Sequence, residues 1–400
     1  MEYGASGIHQ LLKDELVKYI NTQYLSKSPL LLDYSHQELG KDGVLFQQPY
    51  IETSPAYKTE EQGISNSKVL EPWLKQFFSD LAEANLGVYK APFCHQIKAL
   101  EHFSQGQDLF VATGTGSGKT ECFLWPIMAK MASEARNSPK SWNKRGVRCI
   151  LMYPLNALVS DQLSRMRRLM ADSEGQFLRI FQNTCHNARR PQFGMYTGRT
   201  PYPGPKSSQK NKDIAQSYNR FVLDPQEQSA STAQYLERMK KEGRLPAKSD
   251  FKEFINQLNE GNIYSSSDDA ELLIRHEMQA TPPDILITNY SMLEFMLMRP
   301  IENKIWKSTS DYLKADANNK LLFIIDEAHM YRGSSGGEVA MLLRRLFSRL
   351  NIKRSQVQFI LTTASMPDDN EAIFNFARNL SAGGHQYPPP KGEGLPLLMY

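Results

Sequence analysis

At 400 residues the chain is too long for one average domain and of a length for two or three. With 40% hydrophobic and 22% charged residues its composition is that of an ordinary globular protein; the absence of any apolar run of about 18 residues excludes a membrane span, and MEYGASGIHQ lacks the basic and apolar regions of a signal peptide. The net charge of +4 is unevenly spread: residues 130–200 hold 13 Lys and Arg against 4 Asp and Glu, as a track along a phosphate backbone would require, although solvated helix faces give the same count.

The chain opens with a helical pattern, IHQLLKDELVKYI, with Ile8, Leu11, Leu12, Leu16 and Ile20 near helix spacing. An extended aromatic and Pro-containing stretch follows, GVLFQQPYIETSPAY, and then a second helical pattern, EPWLKQFFSDLAEAN. Residues 1–88 read as an N-terminal accessory region. From residue 89 the texture changes. DLFVAT (108–113), VRCILMYP (147–154), DILITN (284–289), KLLFIIDE (320–327) and VQFILTTA (357–364) are short apolar runs, each followed by a helical pattern. Apolar strands alternating with helices predict an α/β domain over 89–382, with a parallel sheet covered on both faces. Between Tyr196 and Asp284 the alternation lapses into a Pro, Ser and Lys-rich linker and polar helical patterns, so about 200–282 is expected to be a mostly helical appendage, inserted beside the sheet and removable without unfolding. Residues 383–400 read as a flexible linker. Cys94, Cys122, Cys149 and Cys185 lie far apart with no CxxC pair, against a zinc site or disulfide framework and for a reducing, cytoplasmic compartment.

Two segments carry chemistry. TGTGSGKT, Thr113 to Thr120, lies between a strand and a helix, the context that a P-loop requires. Gly114, Thr115, Gly116, Ser117 and Gly118 would turn their backbone N–H groups toward phosphates, aided by the helix N-terminus. Lys119 would reach the β- and γ-phosphates of ATP, and the Thr120 hydroxyl would hold Mg²⁺. Thr113 stands where the general pattern has its first glycine. Further on, Asp326, Glu327, Ala328 and His329 close the strand LLFII. A carboxylate at the carboxyl end of a buried strand faces the crevice where such sheets bind ligands. Asp326 would hold Mg²⁺, Glu327 would orient or deprotonate the attacking water, and His329 would couple the nucleotide site to a neighbouring domain.

These residues resemble the DExH group of superfamily 2 helicases, in particular their first RecA-like domain. The resemblance covers 89–382, with 200–282 as a gap. Asp326–His329 looks like motif II and the phosphate loop like motif I. PFCHQIKAL (92–100) resembles the adenine-reading segment, with Gln96 as the amide and Phe93 as a stacking ring; a surface Gln and a core Phe are the alternative. YPLNALVSDQ (153–162) is similar to motif Ia and ITNYSMLE (287–294) to motif Ib. The resemblance implies that Asn156, Thr288 and Asn289 contact a nucleic-acid backbone, where helix capping is the competing role. Arg165, Arg167 and Arg168, on the helix after motif Ia, would add charge, with at most two of them on one face. TTAS (362–365) resembles motif III, in which Thr363 and Ser365 would link hydrolysis to strand movement.

LFQQPYIETSPAY and ILITNYSMLEFMLMRP look like bacterial helicases with a C-terminal cysteine cluster, a group including DNA-repair helicases and large anti-phage defence helicases such as that of Druantia. The resemblance implies ATP and Mg²⁺ as cofactors, nucleic acid (DNA rather than RNA) as partner, defence or repair proteins as further partners, and no membrane. It also implies a second RecA-like domain, in a longer chain or in trans, since no QxxGRxxR-like arginine-finger segment occurs here; residues 383–400 would lead toward it, and residues 1–400 alone would bind ATP but hydrolyse it poorly. A nucleotide-gated binding module without turnover stays open as the alternative. A P-loop kinase or GTPase is disfavoured: NKxD is absent, and neither would explain the segments similar to motifs Ia, Ib and III.

Overall fold

The computed structural model describes residues 4–41, 43–47, 56–114, 116–172, 174–219, 221, 230–263, 265–364, 370–381 and 397–399. They fall into two units, Met1–Ala56 and Tyr57–Tyr400. In the first, helix Ala5–Ile20 forms where the helical pattern lies, although Ile8, Leu11 and Leu12 are exposed and Val17 is its buried apolar residue; a π turn, Asn21–Leu25, joins it to helix Pro29–Leu39. The buried Ser35 hydroxyl donates to Asn21 Oδ1 at 2.6 Å and pins that turn.

The second unit is built on eight parallel strands in the order β4-β3-β5-β2-β6-β7-β1-β8. These are β1 Leu109–Ala112, β2 Cys149–Tyr153, β3 Phe193–Tyr196, β4 Glu271–Leu272, β5 Ile285–Asn289, β6 Leu321–Ile325, β7 Val357–Thr363 and β8 Leu397–Met399. The five apolar runs of the sequence are β1, β2, β5, β6 and β7. Strands β2, β6 and β7 are buried along their whole length, as a parallel sheet with both faces covered demands. One apolar layer, with Trp125, Phe123 and Leu151, covers one face; a second, with Trp306, Ile150 and Phe323, covers the other.

Three departures from the sequence reading concern boundaries. The unit containing the sheet begins at Tyr57, not at residue 89: Leu74, Phe77, Phe78 and Leu81 of helix Pro72–Glu83 belong to the first apolar layer. Leu397–Met399, expected to be linker, is an edge strand beside β1. The 200–282 segment is tied into the domain more firmly than an appendage. It carries its own small core around Tyr202, Phe254 and Leu258, yet it also supplies β4, which pairs with β3. Within it the buried Lys248 ammonium bridges Asp269 and Glu277, and the nearly buried Glu271 carboxylate takes both Arg167 Nε at 2.7 Å and Nη2 at 2.6 Å.

At the amino edge of the sheet lies a fully buried guanidinium. Arg148, just before β2, donates from Nη1 to Asp284 Oδ1 at 2.9 Å and to the Gly146 carbonyl, from Nε and Nη2 to the Glu134 carboxylate, and from Nη2 to the carbonyls of Ser141, Trp142 and Lys144. Asp284, just before β5, is gripped from its other side by Arg189. Burial alone would push the Asp284 carboxyl up, but Arg189 and Arg148 hold it down at about 2.

Arg148→Met should therefore leave the Glu134 carboxylate without a cation and Asp284 with Arg189 alone. We expect a loss of about 3–5 kcal/mol in urea unfolding; a loss under about 1 kcal/mol would mean that the network is not structural. Deletion of 200–282 should give insoluble or unfolded protein, because it strips an edge strand and strands Arg167 without its carboxylate; a folded deletion product with a normal thermal transition would restore the appendage description.

Candidate nucleotide site

The loop after β1 is positioned by its neighbours. β1 pairs with β7 so that Ala112 lies opposite Thr363, and β7 pairs with β6 so that Leu361 lies opposite Ile325. The carboxyl ends of three adjacent strands thus bring Thr113–Thr120, Asp326–His329 and Thr362–Thr363 to one edge.

Several contacts hold the loop from behind. The Thr113 N–H donates to the Thr363 carbonyl at 3.2 Å, and the Thr113 and Ser117 hydroxyls, both buried, are 2.6 Å apart. A glycine at 113 could not make the second contact, which accounts for the departure from the general pattern. His95 Nε2 lies 2.9 Å from the Ser117 carbonyl. With a carbonyl as partner that nitrogen carries the proton, and burial holds the ring pKa below its usual value. Gly116 and Gly118 have φ of +77° and +72°, backbone that favours glycine. A Cβ on Gly118 would also meet Gln96 Nε2 at 2.3 Å and a Cβ on Gly114 the Tyr57 hydroxyl at 2.9 Å. Lys119 and Thr120 are half-buried, and among the described residues neither side chain has a hydrogen-bond partner. The structure of Thr115 lies outside the described residues.

Gln96 is buried, and its amide is engaged within the protein. Its Oε1 accepts from the Phe93 N–H at 2.9 Å and its Nε2 donates to the Gly118 carbonyl at 3.1 Å. In this structure it therefore caps helix Cys94–Ser104 and braces the loop instead of presenting a free amide to a base. Phe93 is half-buried and stacks on His95, with ring centroids 5.5 Å apart and planes 15° apart; the Tyr57 ring lies 5.4 Å from Phe93. Tyr57 and His95 were missed by sequence reasoning. Their signal was faint: a histidine one residue before the glutamine and a tyrosine in a stretch read as accessory.

Asp326 lies at the end of β6, nearly buried. Its Oδ1 accepts from the Glu327 N–H at 2.9 Å and from the Thr362 hydroxyl. Burial raises its pKa, while the Thr362 hydrogen bond and the charge on Lys119 pull it down. Glu327 has φ of +51°, an uncommon backbone for a residue with a Cβ. Its Oε2 is buried and 3.3 Å from His329 Nδ1, which lies 3.0 Å from the Thr363 hydroxyl. Thr362, unassigned from the sequence, is thus a direct partner of Asp326, and Thr363 sits beside His329. Ser365 lies outside the described residues.

The expected nucleic-acid contacts divide. Thr288 is fully buried, and its hydroxyl donates to the Tyr196 carbonyl at 2.7 Å, tying β5 to the end of β3. It is not placed to meet a phosphate. Asn289 caps helix Tyr290–Met298, accepting from the Met292 N–H at 2.8 Å, while its Nδ2 donates to Asn156 Oδ1 at 2.6 Å. Asn156 and Asn289 therefore link the two loops, each with part of its amide uncommitted among the described residues. Of the three arginines, Arg167 is held by Glu271 and Arg165 pairs with Asp161 at 3.2 Å; Arg168 is exposed. Mutating all three would therefore damage the fold as well as any phosphate contact. No cluster of His, Cys, Asp or Glu suited to a metal occurs among the described residues, and none of their helices is long and apolar enough to cross a membrane.

Comparisons with known proteins bear on this site. The family model described as DEAD/DEAH box helicase matches residues 94–195 and 246–373, more than half of the chain, leaving 196–245 unmatched where the sequence led us to expect a gap over 200–282. The Druantia protein DruE of Escherichia coli (strain UMEA 4076-1) is 41% identical over 405 residues, 94% of this chain and 21% of its own length. An uncharacterized ATP-dependent helicase, MJ1574, of Methanocaldococcus jannaschii is 21% identical over 76% of this chain and 30% of its own length. The chain thus spans less than a third of either relative. Among solved structures, the DUF1998 helicase MrfA bound to DNA is similar over 86% of this chain and 31% of that one, with 16% identity and a TM-score of 0.43. The matched region includes the P-loop and the Asp326–His329 segment of a superfamily 2 motor's first RecA-like domain, and the chain belongs to the DEAD/DEAH box helicase family.

Proposed function

We propose that this domain binds ATP with Mg²⁺ at the carboxyl edge of β1, β6 and β7 and hydrolyses it to drive movement along a nucleic acid, DNA rather than RNA. The observation that supports this reading most directly is the meeting of an unpartnered Lys119 and Thr120 with the nearly buried Asp326 on adjacent strands. The residues fit the groups they would hold. The backbone turns inward at Gly116 and Gly118, Lys119 supplies an uncompensated cation, and Thr120 and Asp326 supply hard oxygen donors. Mg²⁺ held there would neutralise charge on the β- and γ-phosphates. Glu327 would hold and deprotonate the attacking water, with His329 beside its carboxylate. Phe93 would stack on the base, with Gln96 bracing the loop beneath it. Asn156 and Asn289 would meet the backbone of the strand, and Thr363, through His329, would pass the state of the site to a second RecA-like domain. The 41% identity to the Druantia protein DruE favours a defence role over a repair one.

Lys119→Ala should abolish nucleotide binding or turnover, and Glu327→Gln should retain binding while slowing hydrolysis by about 10²–10⁴. Titration of a fluorescent ATP analogue and single-turnover hydrolysis by the full chain, with and without single-stranded DNA or RNA, test both. Normal single-turnover hydrolysis by the Glu327 variant would refute its assignment; tight binding with no turnover even when a second RecA-like domain is supplied would favour the binding module.

Thr362→Val removes the hydroxyl that favours the ionised Asp326 carboxylate. Burial already raises that pKa, so its further rise should move the acid limb of kcat/KM to higher pH. An unshifted limb would show that Asp326 does not titrate in the reaction.

A further inference from the structure

A basic cavity of about 580 Å³ opens at the amino edge of the sheet, between the end of helix Asn156–Met170 and residues 240–249. Asn156 starts that helix at the carboxyl edge, and Arg168 lies roughly 18 Å along its axis from there. The cavity is therefore remote from the nucleotide site. Its lining includes Arg167, Arg168, Arg190, Lys240, Lys241 and Lys248.

Two of these cations are neutralised. Arg167 is paired with Glu271, and Lys248 with Asp269 and Glu277. Asp172, the single carboxylate of the lining, is engaged in capping: its oxygens accept from the Gln176 and Phe177 N–H groups. Glu242, next to Lys241, pairs with Arg244 at 3.1 Å and lies 3.9 Å from Arg238. Arg168, Lys240 and Lys241 have no carboxylate partner among the described residues. Among the described residues Arg190 donates to the carbonyls of Met170 and Asp268, and its Nε is buried without a hydrogen-bond partner. Arg190 also lies within reach of the charges on Asp172, Asp268 and Asp269, so the uncompensated cations are Arg168, Lys240 and Lys241, which repel one another unless an anion enters.

We propose that this cavity is a second nucleic-acid contact, gripping the phosphate backbone of a strand outside the track at Asn156 and Asn289. The proposal rests on the nucleic-acid reading above. A chain of phosphates fits better than a lone anion: the cations come from separate segments, and the exposed Lys240 and Lys241 act on phosphate as point charges. Lys240 and Lys241 lie within 196–245, the stretch that the family model leaves unmatched, so the contact would be an addition particular to this branch.

The test is binding of a short fluorescent single-stranded oligonucleotide to the full chain across a salt series, for the unmodified protein and for Arg168→Gln/Lys240→Gln/Lys241→Gln. Loss of three single-strand phosphate contacts should lower the log–log salt slope by about 2 and weaken affinity about tenfold or more near physiological salt, with affinity for an ATP analogue unchanged. Unchanged slope and affinity would overturn the site alone; an unmodified protein that binds no oligonucleotide would overturn the nucleic-acid reading with it. Amine-reactive footprinting of the unmodified protein does not depend on the variant folding. Protection of Lys240 and Lys241 by the oligonucleotide, but not by tripolyphosphate at equal phosphate concentration, is expected. Equal protection by tripolyphosphate would assign the cavity to a free polyphosphate and overturn the strand.

Discussion

The buried Arg148 guanidinium fixes the sheet from which the site projects. It lies among Glu134 of helix Glu121–Asn137, Asp284 at the start of β5 and the carbonyls that precede β2. A guanidinium without water is tolerable only when its donors are matched, and here carboxylates and carbonyls meet all three nitrogens. Helix Glu121–Asn137 is also the helix that the phosphate loop opens. The same ion network that aligns β2 with β5 therefore anchors the far end of the phosphate-binding helix. The two edges of the sheet differ accordingly. At the amino edge Arg148, Asp284 and Glu134 neutralise one another; at the carboxyl edge Lys119 and Thr120 have no partner among the described residues.

The loop itself is prepared before any ligand arrives. Thr113, Ser117, His95 and Gln96 take the hydrogen bonds that point away from the crevice. What faces the crevice is backbone N–H, a lysine and a hydroxyl. Glu327 is held with positive φ at the turn out of β6, an arrangement that disfavours most side chains and persists only because the neighbouring strand end over-determines it. Rigidity at the loop and an uncommon backbone at the acidic turn would serve one end in the reading proposed above, since groups already oriented need no reorganisation when charge develops on a phosphoryl group.

Much of this was legible in the sequence. Strands β1, β2, β5, β6 and β7 are continuous apolar runs because both faces are covered, and a run of that kind is visible without any partner. The glycines, Lys119, Thr120, Asp326 and Glu327 were legible because phosphate chemistry admits few alternatives at those spacings. Strand β4 was not, because two residues carry no periodicity; β3 was not, because Gly194 interrupts a four-residue strand where Met278 packs closely. Thr288 was misread for a different reason. A hydroxyl has the same identity whether it faces solvent or a carbonyl, and only the pairing of β5 with β3 decides that it meets Tyr196. The amide of Gln96 was ambiguous in the same way.

Arg167 and Arg168 show how far charge reading along a sequence can go. They are adjacent, on one helix, and equal in any count. A helix turns about 100° per residue, so although both reach one cavity, they meet different partners. Arg167 meets Glu271, 104 residues later, and becomes part of the fold. Arg168 meets other cations and stays in surplus. The excess positive charge of 130–200 is therefore composite. Arg148, Arg167 and Arg189 are absorbed by carboxylates from beyond residue 130–200 as well as within it, and only the remainder can act on a ligand. A similar division governs the end of β7. Successive side chains on a strand point to opposite faces, so Thr362 and Thr363 cannot serve the same partner. One hydroxyl goes to Asp326, where the metal would sit, and the other to His329, beside the carboxylate of Glu327. The end of β7 therefore touches the acidic turn at two points that begin on different residues, one at Asp326 and one at His329.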